Sequence, residues 1–235
     1  VREFLDLAEI PVLFDVVLHV ATLLVVVAVF RHRILSILIS LWRLVRGRAD
    51  ADDRPNFRLA ISVVAASALT AAVGLAINEV PWLREPTSVA IMFIITAGLL
   101  LVSRRAGGQQ DYSRLDWRVT VLAGLGQGLG VAPGISRSGI TISASRLGGM
   151  QRELAGEYAF ILSIPAILGA LLLTLGDAGE LAAQTTPGAV VGGSVAAMIT
   201  GWLALRAVMA LLKSDRLVWF AAYLIPLGII ASIIF

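Results

Sequence analysis

The chain has 235 residues, of which 58% are hydrophobic and 15% are charged, and its mean hydropathy is +0.88. This composition excludes an ordinary soluble domain and indicates a polytopic membrane protein, while the absence of cysteine excludes disulfides, thiolate metal sites and a cysteine nucleophile. The net charge of +3 comes with arginines crowded into a few loops, which is typical of membrane topology and does not favour a nucleic-acid partner.

Three membrane spans are predicted in the first half of the chain. They cover residues 12–30, 59–78 and 87–103. Each approaches the roughly 20 residues that cross a bilayer core. Arg31 follows the first span and Arg104 the third, which places both of these ends in the cytoplasm. Residues 34–46 alternate apolar and basic residues at helical spacing, which predicts an interfacial helix or a cytoplasmic extension of the first span.

The next segment, about residues 119–150, is predicted to be a re-entrant hairpin. Residues 119–132 are apolar and rich in glycine but stop at Pro133, and the short segment 140–150 leads back to basic residues. Two half-length segments joined by a Pro-Gly turn would enter the membrane and return to the same side. Such backbone survives at bilayer depth only inside protein or around a wet cavity. The alternative is one broken span, which would invert the topology of everything downstream.

Three further spans are predicted after the hairpin, at residues 158–175, 188–212 and 217–235. Residues 177–186 contain two acids and no cation, whereas Lys213 and Arg216 flank the last turn, which favours the hairpin over a broken span. The predicted fold is therefore all-α, with six transmembrane helices and a re-entrant hairpin. An odd number of spans in each half predicts an inverted-topology repeat with its site at the midplane.

The two predicted repeats cover residues 1–105 and 106–235. By symmetry the first repeat should also begin with a re-entrant hairpin, yet only about ten residues precede its first span, and the chain opens with Val1. We therefore expect this chain to be a fragment, or a processed or truncated form, that lacks its first functional loop.

The turn from Pro133 to Thr141 concentrates polar groups in an otherwise apolar sequence. Arginine at bilayer depth costs roughly 2.5 kcal/mol or more, so Arg137 should face the protein interior or a wet cavity and meet an anion there. Its planar fork could hold two phosphate oxygens at once. Hydroxyl donors and glycines that admit backbone amides surround it, and they are Gly134, Ser136, Ser138, Gly139 and Thr141. With the positive end of a short helix beginning near Ile140, these residues are typical of a phosphoryl-transfer cradle.

Structural alternatives remain open for several of these side chains. Ser136 could be a nucleophile or only an oxyanion donor, because no partner base lies near it in the sequence. Ser138 and Thr141 could contact phosphate or cap the second half-helix. Gln127, on the first half-helix, could line the cavity or make an interhelical hydrogen bond.

Other polar residues and glycines carry weaker predictions. Asp15 and His19 lie four residues apart on one helical face. They could form an acid–base or metal pair, or they could be a hydrogen-bonded pair packed near the outer end of the bundle. Glu157 could enter the midplane from the inner side or rest at the interface. Small residues that predict close helix packing are Gly192, Gly193, Ala196, Ala197 and Gly201.

The turn also carries a family resemblance. Residues 133–141 resemble the Pro-Gly-x-Ser-Arg-Ser-x-x-Thr signature of the undecaprenyl-diphosphate phosphatases, integral-membrane enzymes associated with bacitracin resistance. Residues 14–24 and 157–165 are similar to the segments after the family's first and second loops. The family's first motif, Glu-x-x-x-Glu followed by Ser-Ser-x-Gly-His, has no counterpart in this chain.

The resemblance implies hydrolysis of a polyprenyl diphosphate to the monophosphate and inorganic phosphate, which recycles the lipid carrier of cell-wall synthesis. Ser136, Arg137 and Thr141 would be catalytic. Substrate would be bound by Gly134, Ser136, Arg137, Ser138, Gly139 and Thr141. A divalent metal ion, Mg or Ca, is implied, but its ligands would belong to the missing loop. This chain alone is therefore expected to be inactive or nearly so.

The resemblance also implies a place in the cell. The protein would lie in a bacterial or archaeal cytoplasmic membrane with its site accessible from the outer side, and a homodimer is left open. A lipid-phosphate transporter or flippase is the main alternative function, because inverted repeats with midplane anion sites are a transporter architecture. A structural or regulatory remnant is a third.

Overall fold

The computed structural model describes residues 12–106, 108–177 and 185–234. Within these ranges the chain forms nine α-helices and no β-strand, which confirms the all-α prediction. The helices are α1 (Val12–Val29), α2 (Arg31–Val45), α3 (Arg54–Asn78), α4 (Pro86–Arg104), α5 (Trp117–Leu129), α6 (Arg137–Leu147), α7 (Arg152–Thr174), α8 (Pro187–Lys213) and α9 (Trp219–Ile234).

The described residues do not confirm the six predicted spans. In the described residues, α3, α4, α7 and α8 are each long and apolar enough to cross a bilayer. Helices α1 and α2 qualify only together, as a pair bent at the break around Phe30, which raises the number to five. Helix α9 has 16 residues, about 24 Å, and falls short of a hydrocarbon core about 30 Å thick. The protein is a multi-pass membrane protein, and its described residues form four or five spans by length and composition.

The described residues divide into two compact units. One comprises residues 12–29, 163–177 and 185–205, and the other comprises 30–106, 108–162 and 206–234. The division of the chain into inverted repeats at residue 105 stays a prediction.

In the smaller unit, α1 and α8 approach closely at two of the glycines predicted to serve packing. A Cβ on Gly193 would lie 3.2 Å from Leu18 Cδ2, and one on Gly201 would lie 2.9 Å from Thr22 Cγ2. A Cβ on Gly192 would have no neighbour within 4 Å, so this glycine makes no such contact. Close helix packing through small residues is therefore present at Gly193 and Gly201.

In the larger unit, a buried apolar cluster joins α3, α4, α5, α6 and α7 with the end of α8 and the start of α9. Val119 and Ile142 bring the two short helices α5 and α6 into the centre of this cluster. Large apolar side chains such as Ile61, Val64 and Leu101 point outward and are exposed, as expected for surfaces that meet lipid. The predicted hairpin is thus enclosed by longer helices.

Candidate functional site

Helices α5 and α6 form a hairpin whose two outer ends lie side by side. The backbone N–H of Gln110 donates to Gly149 O at 3.0 Å, and the backbone N–H of Gln151 donates to Gln110 O at 3.0 Å. With 13 and 11 residues, the two helices are about 20 Å and 17 Å long, well short of a bilayer core. The chain therefore enters and leaves this helix pair at the same end, which favours the hairpin predicted for residues 119–150 over one broken span. That the hairpin re-enters the membrane stays a prediction.

Glycine allows α5 to lie directly against α3. A Cβ on Gly124 would come within 2.8 Å of Ala66 O, and one on Gly128 would come within 2.6 Å of Val73 Cβ. In the space so created, the Thr70 hydroxyl donates to Gly124 O at 3.1 Å. The first half-helix is consequently held by backbone contact as well as by side-chain packing.

The tip of the hairpin is wedged against α4. Gly134 has φ +85°, and a Cβ there would lie 2.5 Å from Val89 O, so only glycine fits. Next in the turn, the Ser136 amide donates to Thr96 Oγ1 at 3.4 Å. These contacts hold the turn against α4 and so fix the backbone position of Arg137, from which its side chain extends.

Helix α6 begins at Arg137, three residues earlier than the predicted start near Ile140. The reason is Ser136, whose side-chain oxygen caps the helix by accepting from the Gly139 amide at 3.2 Å. The residue that caps the second half-helix is therefore Ser136, and neither Ser138 nor Thr141. Arg137 and Ser138 occupy the first turn, where backbone amides have no intrahelical partner.

Arg137 is half-buried, and no described residue offers its guanidinium a hydrogen bond or an ion pair. Ser136 is exposed and Ser138 is half-buried. Thr141 is only 1% exposed and donates its hydroxyl to Arg137 O at 2.8 Å. Ser136 and Ser138 flank Arg137 at the start of α6, and neither hydroxyl donates a hydrogen bond to a described residue. The Thr141 hydroxyl, by contrast, already donates within the helix.

Gln127 makes the interhelical hydrogen bond that was one of its two predicted roles. It is 1% exposed, and its Nε2 donates to Leu162 O on α7 at 3.1 Å. Sequence reasoning missed a second buried link, in which the Ser62 hydroxyl lies 2.6 Å from Tyr158 Oη and 2.7 Å from Thr120 Oγ1. These bonds tie α3, α5 and α7 together behind the hairpin. These hydroxyls lie 58 and 96 residues apart in the sequence, so no local sequence pattern predicts that they meet.

The ring of His19 contacts the backbone of Asp15. His19 Nδ1 lies 2.7 Å from the backbone oxygen of Asp15, and both residues are exposed. The side-chain roles considered for this pair stay predictions. The described residues contain no group of three or more His, Cys, Asp or Glu that could hold a metal ion.

Glu157 lies at a basic end of the bundle, which corresponds to its predicted interfacial position. Its Oε1 accepts from Arg33 Nε at 2.6 Å and from the Tyr112 hydroxyl at 3.2 Å. The Arg33 guanidinium also sits 4.9 Å from the centre of the Tyr112 ring. Burial, and next the nearby Glu157 carboxylate, raise the pKa of Tyr112 above its usual range.

The fold and the hairpin define a class: a helical multi-pass membrane protein with a re-entrant turn that presents an unpaired arginine and free helix amides, a combination suited to an anion. Comparison with known proteins identifies the family. The family model described as bacitracin resistance protein BacA matches residues 1–230, and the chain belongs to this family. The resemblance drawn from residues 133–141 is confirmed.

Named relatives agree with the family. An undecaprenyl-diphosphatase of Treponema denticola is 38% identical over 237 residues, which cover 100% of this chain and 87% of that protein. The undecaprenyl-diphosphatase of Carboxydothermus hydrogenoformans is 32% identical over 235 residues, 97% of this chain and 84% of its own length. That of Desulfosudis oleivorans is 35% identical over 236 residues, 97% of this chain and 86% of its own length.

Proposed function

We propose that the protein is an integral-membrane phosphatase that hydrolyses undecaprenyl diphosphate to the monophosphate and inorganic phosphate, and so recycles the lipid carrier of cell-wall synthesis. The observation that carries the proposal is the half-buried guanidinium of Arg137, unpaired among the described residues, at the amino-terminal end of α6. The relatives described above are named for this activity. They favour hydrolysis over the lipid-phosphate transporter considered from the sequence.

Arg137 is proposed to hold the terminal phosphate. A diphosphate carries several negative charges, and a guanidinium can bind two of its oxygens through parallel N–H bonds. The free amides in the first turn of α6 and the positive end of the helix dipole add further donors at the same place. Charge that develops on the departing phosphate would be stabilised by this arrangement.

Ser136 is proposed as a donor to a phosphate oxygen. Its oxygen already accepts from the Gly139 amide at 3.2 Å, which fixes the side chain while leaving the hydroxyl proton free. No base contacts this hydroxyl in the part of the chain that the structure describes, which supports donation over nucleophilic attack. Ser138 is proposed to donate alongside it. Thr141 is proposed to position Arg137 through the bond to its carbonyl, and Gly134 to hold the turn against α4.

The divalent metal implied by the resemblance is not supported by the described residues. The turn offers one guanidinium and several hydroxyls but no carboxylate, and the charge of Arg137 would repel a divalent cation. Mg²⁺ and Ca²⁺ prefer carboxylate and carbonyl oxygens. No chemical step is therefore assigned to a metal at these residues.

The proposed location is the cytoplasmic membrane, with the hairpin tip facing the outer side. Basic residues lie near both outer ends of the hairpin, among them Arg104, Arg118, Arg146 and Arg152. By the positive-inside rule these ends belong in the cytoplasm, so the tip with Ser136 and Arg137 points outward. A homodimer is also proposed.

The test compares Arg137→Lys with Arg105→Lys, a matched change at an exposed arginine outside the site. The main readout is binding of undecaprenyl diphosphate to the purified protein in nanodiscs. We expect Arg137→Lys to bind about ten-fold or more weakly, since a bidentate grip is lost, and Arg105→Lys to bind as the unaltered chain does.

Equal binding by the two variants would contradict the role assigned to Arg137. Phosphate release is measured in the same samples. Equally fast release by Arg137→Lys and Arg105→Lys would contradict that role as well.

A further inference from the structure

A second cluster of cations surrounds a cavity at the opposite end of α6. The cavity has a volume of about 430 Å³ and is lined by Arg146, Gln151, Arg152, Glu153 and Lys213, together with Ala106 and Gly108. It lies where α4, α6 and α8 end and where α7 begins. Arg146 is nine residues along α6 from Arg137, a separation of about 14 Å, so this cavity does not belong to the site at the tip.

Positive charge exceeds negative charge around the cavity. Arg104, Arg146 and Arg152 all approach the carboxylate of Asp215, at 3.8, 3.8 and 3.3 Å. Lys213 lies 4.0 Å from Glu153, so four cations share two carboxylates. One carboxylate cannot satisfy three guanidinium groups, each of which carries five N–H donors.

Two of these arginines are poorly satisfied by the described residues. The Arg146 side chain is only 4% exposed and makes a single hydrogen bond to them, from Nη2 to Arg104 O at 3.3 Å. Arg152 Nε is buried and makes no hydrogen bond to any described residue, although it lies 3.3 Å from Asp215 Oδ1. Buried donors in such a state are stabilised by any anion that can accept from them.

The conformation of Asp215 indicates that its charge matters at this place. Its φ is +56°, and it follows α8 at the position where helices commonly have glycine. The backbone bonds from Asp215 N to Leu212 O at 3.3 Å and from Arg216 N to Leu211 O at 2.8 Å complete the corresponding C-terminal motif. Glycine would fit this backbone with less strain, so the carboxylate serves the neighbouring arginines, as an internal counter-ion at the edge of the cavity.

Helix α7 adds favourable polarity. This 23-residue helix begins at Arg152, and the residues that open it line the cavity. Its amino-terminal amides and positive dipole end therefore lie beside Arg146 and Arg152.

We infer that this cavity binds a phosphate group, either inorganic phosphate or the phosphate-monoester head group of an anionic lipid. Guanidinium forks from α6 and α7, an ammonium group from α8 and the helix amides approach from different sides, which suits a tetrahedral anion with several oxygens. The positive-inside rule places this end in the cytoplasm. The inference rests on the packing of the larger unit and is independent of the proposed hydrolysis.

Binding is tested on the full chain carrying Arg137→Gln, which removes the guanidinium proposed to bind phosphate at the tip. Inorganic phosphate is titrated by calorimetry into the detergent-solubilised protein. In parallel, nanodiscs of phosphatidylcholine with and without phosphatidic acid report binding of the lipid head group. Saturation by inorganic phosphate identifies a free phosphate as a ligand, and a response to phosphatidic acid alone identifies a lipid.

Three further changes, made in the same background, locate the bound anion. Arg152→Gln, at a side chain that is 37% exposed, is expected to weaken binding about ten-fold or more, and Arg105→Gln is expected to leave it unchanged. Asp215→Asn keeps a residue that tolerates positive φ while removing the competing carboxylate, so it is expected to strengthen binding. Each variant is checked for its helical circular dichroism and its elution in size-exclusion chromatography.

Three results would overturn the inference. The first is equal binding by Arg152→Gln and Arg105→Gln. The second is loss of all phosphate binding with Arg137→Gln alone, which would place the anion at the tip. The third is no saturable binding of either probe.

Discussion

The change Gly134→Ala tests how rigidly the tip must be held. At φ +85° an alanine side chain costs about 1–2 kcal/mol of backbone strain relative to glycine. The new Cβ would also lie 2.5 Å from Val89 O, a backbone atom that can move only with α4. A shift of several tenths of an ångström is unavoidable, so we expect a total destabilisation of about 2–4 kcal/mol.

The shift should also disturb the site. Moving the tip away from α4 would stretch the 3.4 Å bond between the Ser136 amide and Thr96 Oγ1, and it would displace Arg137, one residue further along. A displacement of about 1 Å can cost roughly a hundred-fold in function. Binding of undecaprenyl diphosphate is therefore expected to fall more steeply than the melting temperature alone would indicate.

The assay is thermal unfolding in detergent together with binding of undecaprenyl diphosphate in nanodiscs. Gly98→Ala is the matched control, because Gly98 lies on α4 and a Cβ there has no neighbour within 4 Å. That change should be neutral, or stabilising by up to about 1 kcal/mol. If Gly134→Ala unfolded at the same temperature as Gly98→Ala and bound the lipid equally well, the close approach at Val89 would be unimportant and the reasoning refuted.

Two further predictions separate function from folding. Ser136→Gly should retain most of the helix cap, because glycine in place of serine at this position costs only about a few tenths of a kcal/mol. The same change should weaken binding of undecaprenyl diphosphate several-fold, because a hydrogen-bond donor is lost. Unchanged binding would show that Ser136 does not contact the substrate. Since burial raises the pKa of Tyr112, its neutral form stabilises the fold fully below about pH 10, and that contribution is lost as the pH rises through the raised pKa. Denaturant unfolding should therefore show an alkaline loss of stability that Tyr112→Phe reduces, and an identical alkaline limb in both proteins would contradict this.

Much of the site could be predicted because its signals are local. Gly134, Ser136 and Arg137 stand within four residues of one another in an apolar chain, so spacing predicts the turn, and the cost of burying charge motivates the proposal that it binds an anion. The hairpin could be predicted for the same reason, since two short apolar segments and their basic ends are consecutive. The composition alone requires a membrane.

Other features could not be predicted because they depend on which atoms meet in three dimensions. The Thr141 hydroxyl turns back to Arg137 O, and Ser136 takes the cap, so α6 starts earlier than its apolar residues indicate. Helix α9 has 16 residues, fewer than the span predicted at residues 217–235. A hydropathy pattern fixes neither a cap nor a helix end to within a turn.

The cavity beside Arg146 shows the difference most clearly. Arg104, Arg146, Arg152 and Asp215 come from three helix ends and a turn spread over more than a hundred residues. The sequence by itself determined the membrane class, the family and the turn proposed to bind an anion, because short-range pattern and solvation energy are sufficient for each. Only the tertiary structure decided where the basic loops converge, because long-range packing, and not spacing along the chain, brings their charges within 4 Å of one carboxylate.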